Sequence, residues 1–307
     1  MNKYLLLYAT IITAALGMLL LRANTSSEPA AAAMTEPDTK NLPQIVKGID
    51  LDKTYTFASE RVPVTDNFDV RERLDRELMV NSYWHSSTSL NIKLAYRYFP
   101  VISPILKKFG VPDDFKYLAV AESNLRHATS PAGAKGIWQF MPASARYYGL
   151  EMNREVDERY HVEKLTQAAC KYLLHLKERF GSWTNAAAAY NMGETRMARE
   201  LEQQRTDNYY DMNLNPETSR YVFRIVAIKE ILGDPQRFGF YLDEDDGYPP
   251  LENYRTVEVT ETIANLGEFA ESQGTTYRML KVYNPWLISH RLTVSAGNAY
   301  LIKIPEE

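Results

Sequence analysis

The stretch Asp114–Ala145, DFKYLAVAESNLRHATSPAGAKGIWQFMPASA, decides the fold class of this chain. Its first residues read as a short apolar helix, because Phe115, Leu118, Ala119 and Glu122 share one 3.6-period face. Pro112 and Asp113 supply the start signals, an early proline and an acidic cap. The apolar face ends on a carboxylate in the last helical turn. Burial beside apolar neighbours and the negative end of the helix dipole both disfavour its ionised form. Glu122 is therefore a candidate general acid near neutral pH, although a glutamate at such a boundary can also simply sit half in water.

The residues that follow favour chemistry. Ser130, Pro131, Gly133 and Gly136 make a turn-rich loop able to bring backbone close to a ligand. Ile137, Trp138, Gln139, Phe140 and Met141 then set one amide among large apolar groups, a composition suited to a sugar-binding wall. Pro142 opens another helix.

Outward from this stretch, apolar residues keep a helical period. Val70, Leu74 and Leu78 are spaced by four, and Leu90, Leu94, Tyr98 and Ile102 repeat the spacing in a segment that Pro100 and Pro104 should kink or divide. Val162–Phe180 is the clearest helix, closed by Gly181, and Trp183–Ala189 is a shorter one. Pro216–Leu232 has proline in its first turn and Gly233 as its stop. No strand pattern interrupts Phe68–Leu232. After an acidic stretch, Tyr254–Val259 alternates as a strand, two short helices follow near Leu266–Gln273 and Thr276–Tyr283, and Ala299–Ile304 closes as a second strand. The expected class is mainly α, with an all-α domain followed by a small βααβ unit.

Three motifs, in order, carry a resemblance. Glu122-Ser123 with Gly133–Gln139 and Met141-Pro142 comes first, Ala189–Gly193 second and Glu217–Tyr221 third. Together they resemble the signatures of soluble-type lytic transglycosylases of the membrane-bound D subgroup, whose catalytic domain is lysozyme-like. The closing βααβ unit, with Leu280, Asn284, Leu292, Gly297 and Ile304, resembles a LysM module, a binder of N-acetylglucosamine polymers. The match is degenerate, since Val259–Thr262 stands where Gly-Asp-Thr is usual.

The resemblance implies a peptidoglycan lytic transglycosylase that needs no cofactor or metal. Glu122 would be the acid/base, with Ser123 and Tyr190 beside it and Tyr190 orienting its carboxyl. Ser130, Gln139 and Met141 would line the glycan cleft, and Asn191 and Tyr221 would complete it. Glycan strands of peptidoglycan are the expected partner. A hydrolytic muramidase and a non-catalytic peptidoglycan-binding protein are the alternatives. Taken alone, Tyr190 and Tyr221 could be core aromatics, Met141 filler and Ser123 a helix-end cap. His127 departs from the proline usual there and adds a titratable group near the site.

The remainder sets boundaries and exclusions. Lys3 precedes the apolar run Tyr4–Leu21, which closes at Arg22. At about 1.5 Å per residue that run just reaches the length of a membrane span, and no cysteine near it offers a lipid attachment. Residues 1–22 are expected as an uncleaved signal anchor, with a cleaved signal as the alternative. This would place the enzyme in the cell envelope, on the periplasmic face of a membrane or secreted to the periplasm. Residues 23–66 read as a polar, proline- and alanine-rich tether with a possible short strand at Tyr55–Phe57, 67–235 as the catalytic domain, 236–252 as a solvated acidic linker and 253–307 as the LysM-like domain. The run Asp243–Gly247 lacks the ligand alternation of a calcium loop. The five histidines lack metal-site spacing, and Cys170 reads as a buried, inert thiol. A net charge of −4 without a long basic run argues against a nucleic-acid partner.

Overall fold

A computed structural model describes residues 48–306. The apolar run Tyr4–Leu21 and the tether as far as residue 47 lie outside the described residues. Among those described, no helix is long and apolar enough to cross a membrane.

The chain enters through a hairpin, β1 (Tyr55–Phe57) and β2 (Glu60–Val62), paired antiparallel with Tyr55 opposite Val62. Residues expected to be tether are here part of the body. Leu51, Tyr55, Phe57, Val62 and Val64 are buried in the main core. The reason is polar as well as apolar. The Ala58 amide donates to Asp114 Oδ2 at 2.7 Å, and Glu60 accepts from the Trp183 and Thr184 amides at 2.6 and 2.8 Å. A carboxylate at those free helix-start amides is favoured by both hydrogen bonding and the helix dipole.

Helix α1 (Phe68–Tyr83) is capped by Asn67, whose side chain accepts from two first-turn amides. Helix α2 (His85–Phe109) runs through Pro100 and Pro104 without being divided there. Both prolines and Tyr96 are exposed, so carbonyls freed by the missing amides can be hydrated. Helix α3 (Phe115–Ser123) carries Glu122 and ends in Asn124 in the left-handed conformation. Its start differs from the expected acidic cap at Asp113. Asp114 is the boundary residue, and its carboxylate turns away to Ala58 and Lys229. Helix α4 (Pro142–Tyr147) begins at its proline as expected.

Next come α5 (Val162–Phe180) and α6 (Trp183–Met192). A helix that the sequence did not announce, α7 (Glu194–Gln204), fully buries Met197 alone, packs Leu201 partly on the core and is otherwise mostly polar and charged. Helix α8 (Pro216–Gly233) is the hub. It packs on α1, α3 and α6 through Val222, Phe223, Ile225, Val226 and Ala227, all fully buried. Ala186–Ala189 are buried on every side of α6, and their small side chains allow close approach to its neighbours. Cys170 is buried in α5, and burial pushes its thiol up to about 12, so it is inert as read.

The segment after α8 is only partly solvated. Phe240 buries against Ile92 and Ile231, and the Tyr248 amide donates to the Lys93 carbonyl at 3.0 Å. The acidic turn Glu244–Asp246 lies outside this contact and is exposed. The closing unit has the expected order: β3 (Tyr254–Val259), α9 (Leu266–Ser272), α10 (Tyr277–Tyr283) and β4 (Tyr300–Pro305). Its strands pair antiparallel from Tyr254 opposite Pro305 to Val259 opposite Tyr300. Leu266, Ala270, Leu280, Leu292, Ile302 and Ile304 form its core. One further member, Val156, comes from the loop before α5. From residue 48 onward the chain is a single compact unit.

Candidate active site

Glu122 is placed by helix geometry. Phe115, Leu118 and Ala119 anchor α3 in the core, and the same face delivers Glu122 at its last turn. The residue retains some open surface, while its carboxyl is densely surrounded by protein. Burial raises its pKa to about 7, against a lowering by the Tyr221 hydrogen bond and the Arg224 charge; Glu217 adds a smaller raise. The carboxyl thus holds its proton up to neutral pH.

Tyr221, fully buried on α8, donates its hydroxyl hydrogen to Glu122 Oε1. This corrects the expected assignment, in which Tyr190 orients the carboxyl. Tyr190 donates instead to the Trp138 carbonyl at 2.6 Å. Its own hydroxyl is pushed well above the usual value by burial and by the Glu122 charge, so it stays protonated beside Glu122. Ser123 is buried, and its hydroxyl donates to the Ala119 and Ile137 carbonyls at 3.2 and 2.9 Å. Ser123 therefore pins the loop to α3, with its single hydroxyl proton committed to those carbonyls.

The loop 128–140 is held at several points. Trp138 is fully buried, and its indole donates to Thr166 at 3.0 Å. Gln139 adopts a left-handed backbone (φ 49°), and its amide nitrogen donates to the Gly136 and Ala128 carbonyls at 2.8 and 3.2 Å. The side-chain nitrogen is thus committed to the loop, while its carbonyl oxygen is the group with acceptor capacity for a ligand. Ser130 accepts from the Ala134 amide at 3.0 Å, closing the glycine-rich turn. Gly136 (φ 79°) is required at its position, because a Cβ there would lie 1.8 Å from the Arg159 carbonyl oxygen. Met141 is 43% exposed and keeps an open apolar surface at the end of the loop. Asn191 accepts from the Thr218 hydroxyl at 2.9 Å, joining the second motif to the third.

His127 is no proton carrier at neutral pH. Burial lowers its pKa to about 4, and its ring packs between Tyr98 and Tyr160. Glu217 lies on the exposed side of α8 and pairs with Arg224 at 3.0 Å. Three contributors escaped the sequence reading. Arg224 is one turn beyond Tyr221, and its pairing with Glu217 and Glu77 is tertiary information. Asp157 and Arg159 sit in a loop without any recognisable motif, yet they hold the glycine-rich turn. Arg159 Nη1 donates to the Gly133 carbonyl at 2.9 Å. Among the described residues no cluster of acidic, histidine or cysteine side chains could hold a metal.

Known proteins are similar to two stretches of this chain. Residues 101–213 match the transglycosylase SLT domain, and residues 255–307 match the soluble lytic transglycosylase C-terminal LysM-like domain. Tyr221 lies beyond the first matched segment. The membrane-bound lytic murein transglycosylase D of Escherichia coli (strain K12) is 28% identical over 253 residues, covering 80% of this chain and 54% of its own length. A putative tributyltin chloride resistance protein of Alteromonas sp. (strain M-1) is 33% identical over 108 residues, covering 34% of this chain and 51% of its own. The chain therefore spans about half the length of these relatives. Among solved structures, an inactive mutant of the lytic transglycosylase Slt from Pseudomonas aeruginosa matches with a TM-score of 0.38 and 21% identity, over 48% of this chain and 26% of that one. The chain thus carries an SLT transglycosylase domain followed by a LysM-like domain, and it is a homologue of the murein transglycosylase D of E. coli.

Proposed function

We propose that this chain is a peptidoglycan lytic transglycosylase that cleaves the β-1,4 bond between N-acetylmuramic acid and N-acetylglucosamine, with Glu122 as its acid/base. The observation that carries the reading is a single buried carboxyl with a pKa of about 7, hydrogen-bonded to one tyrosine. Ordinary glycosidases divide the work between two carboxylates. Glu217, whose charge also reaches Glu122, is tied to Arg224. One group must then serve as both acid and base.

The step balances without water. Glu122 gives its proton to the glycosidic oxygen as the bond from that oxygen to C1 of the muramyl residue breaks. The substrate's acetamido oxygen stabilises the positive charge at C1. The Glu122 carboxylate then takes the proton of the muramyl 6-hydroxyl, and the 6-oxygen bonds to C1. The product ends in a 1,6-anhydromuramyl residue, and Glu122 is again protonated. The acceptor oxygen of Gln139 and the open apolar surface of Met141 are the proposed glycan contacts, with Ser130, Asn191 and the backbone of the loop shaping the groove. Ser123, Tyr190 and Tyr221 act behind the sugar, holding the loop and the acid.

In this reading the LysM-like unit contributes attachment to wall glycan, and the protein works in the cell envelope at the periplasmic face of a membrane. The E. coli relative is a membrane-bound lytic murein transglycosylase, which supports that location. Mass spectrometry of products from purified glycan tests the activity. Anhydro ends support the proposal, reducing ends would make the protein a hydrolytic muramidase, and intact glycan would leave a binding protein.

A further inference from the structure

The loop between α4 and α5 faces two ways. On one side its backbone joins the C-terminal unit. The Asp157 amide donates to the Trp286 carbonyl and the Ile288 amide to the Glu155 carbonyl, both at 2.9 Å, with Val156 bridged to Leu287. Val156 is fully buried in the C-terminal core. Glu155 accepts from the Thr293 amide at 2.6 Å and pairs with Arg291 at 3.1 Å.

On the other side its side chains hold the loop that carries Gln139. Asp157 is buried and receives Arg159 Nε at 2.9 Å, Arg159 Nη2 at 2.8 Å and Lys135 Nζ at 3.2 Å. Arg159, also buried, spends its remaining nitrogen on the Gly133 carbonyl at 2.9 Å and on Phe140 at 3.4 Å. The Arg159 carbonyl occupies the space that Gly136 leaves by lacking a Cβ. Tyr160 shares a hydrogen bond with Thr129 at 2.9 Å, and its ring packs on the C-terminal core. A single four-residue run thus has its backbone in one unit's sheet-like pairing and its charges in the other unit's active-site loop. A buried guanidinium with a bidentate partner fixes direction as well as distance.

We propose that Val156–Arg159 is a joint through which the LysM-like unit positions the 133–140 loop, with Asp157 and Arg159 as positioning residues for the transglycosylase reaction. The joint's role in turnover rests on the function proposed above; its mechanical coupling does not. The C-terminal unit is then a brace of the active site in addition to any hold on glycan.

Hydrogen–deuterium exchange on the full chain separates these parts, because the Lys135, Gly136, Gln139 and Phe140 amides are all hydrogen-bonded within the loop. Val156→Ala withdraws side-chain contact from the C-terminal core without touching any group of the active-site loop. It should speed exchange in 133–140 at least tenfold while α8 is unchanged. It should also lower kcat on purified glycan at least fivefold with a smaller change in KM. Arg159→Lys keeps the charge but loses the fork, and it should give the same pattern more strongly. Lys303→Ala breaks a different contact between the units, the pair with Glu163, and should leave the 133–140 loop and kcat as they were. If Val156→Ala loosens 284–292 but not 133–140, or loosens α8 equally, the joint is refuted. Faster loop exchange with unchanged kcat would refute the positioning role. Should the wild-type protein not cleave glycan at all, the function proposed above fails, and the exchange measurement still decides whether the units are coupled.

Discussion

Tyr221 donates a hydrogen bond to Oε1 of Glu122, a residue 99 positions earlier in the chain. The bond joins the last turn of α3 to the second turn of α8, and it opposes the burial that raises the carboxyl's pKa. Its energetic sense is fixed: a hydroxyl donating to a carboxylate favours the ionised form. The Glu122 carboxyl is therefore tuned by a balance between two helices.

Tyr221→Phe should shift that balance. Without the donor, the Glu122 pKa should rise above about 7. The alkaline limb of the pH–rate profile should move to higher pH by about one to two units, since a hydrogen bond to a charged group contributes roughly 1.5–3 kcal/mol. Turnover at the optimum should fall about tenfold or more as the carboxyl loses its fixed orientation. Steady-state kinetics from pH 5 to 9 measures both effects.

Tyr190→Phe should behave differently, because its hydroxyl holds the Trp138 carbonyl. The expected result is a loss of about 1–2 kcal/mol in stability, with the pH profile in place. Denaturant unfolding and the same kinetic series provide the comparison. A profile shift as large as that of Tyr221→Phe would return Tyr190 to the role first expected of it.

Glu122→Gln should abolish cleavage, since the amide has no proton to transfer. It should also stabilise the fold in a pH-dependent way. A carboxyl whose folded pKa is about 7 and whose ordinary value is 4.5 carries no burial penalty while it remains protonated. The penalty grows as pH rises from 4.5 to 7 and then levels, at roughly 3–3.5 kcal/mol. The variant should match the wild type near pH 4.5 and unfold at a higher temperature at pH 8. Thermal melts at the two pH values check the sign.

Gly136→Ala should be among the most damaging single-methyl changes in the chain. The added Cβ would meet the Arg159 carbonyl oxygen at 1.8 Å, on a backbone with φ of 79°. Overpacking and left-handed strain together should cost about 2–5 kcal/mol. Gly133→Ala is the matched control, because it is equally left-handed (φ 86°) but has open space around its Cβ. A melting temperature equal for the two variants would show that the contact with Arg159 is unimportant.

How much of this was legible beforehand varies by residue. The helix carrying Glu122, the long helix Val162–Phe180 and the βααβ order were all readable, because each has a strong apolar period between clear start and stop signals. The hairpin at 55–62 was misread as tether because its polar neighbours resemble a linker, while its retention depends on distant partners at Asp114, Trp183 and Thr184. Pro100 and Pro104 suggested a kink or a division; the helix is not divided, since both prolines face solvent, and sequence does not reveal which side of a helix is wet.

The sequence by itself determined that an acidic residue ends an apolar helix, that a glycine-rich loop follows it, and that three motifs accompany them. These are local properties, set by period, turn chemistry and residue type. Only the tertiary structure decided which tyrosine meets Glu122, since Tyr190 and Tyr221 are equivalent candidates until α6 and α8 are packed. Tertiary structure likewise decided that Val156 belongs to the C-terminal core and that Asp157 and Arg159 hold the 133–140 loop. Hydrogen bonds and ion pairs act over about 3 Å in space and are indifferent to separation along the chain, so no local pattern records them.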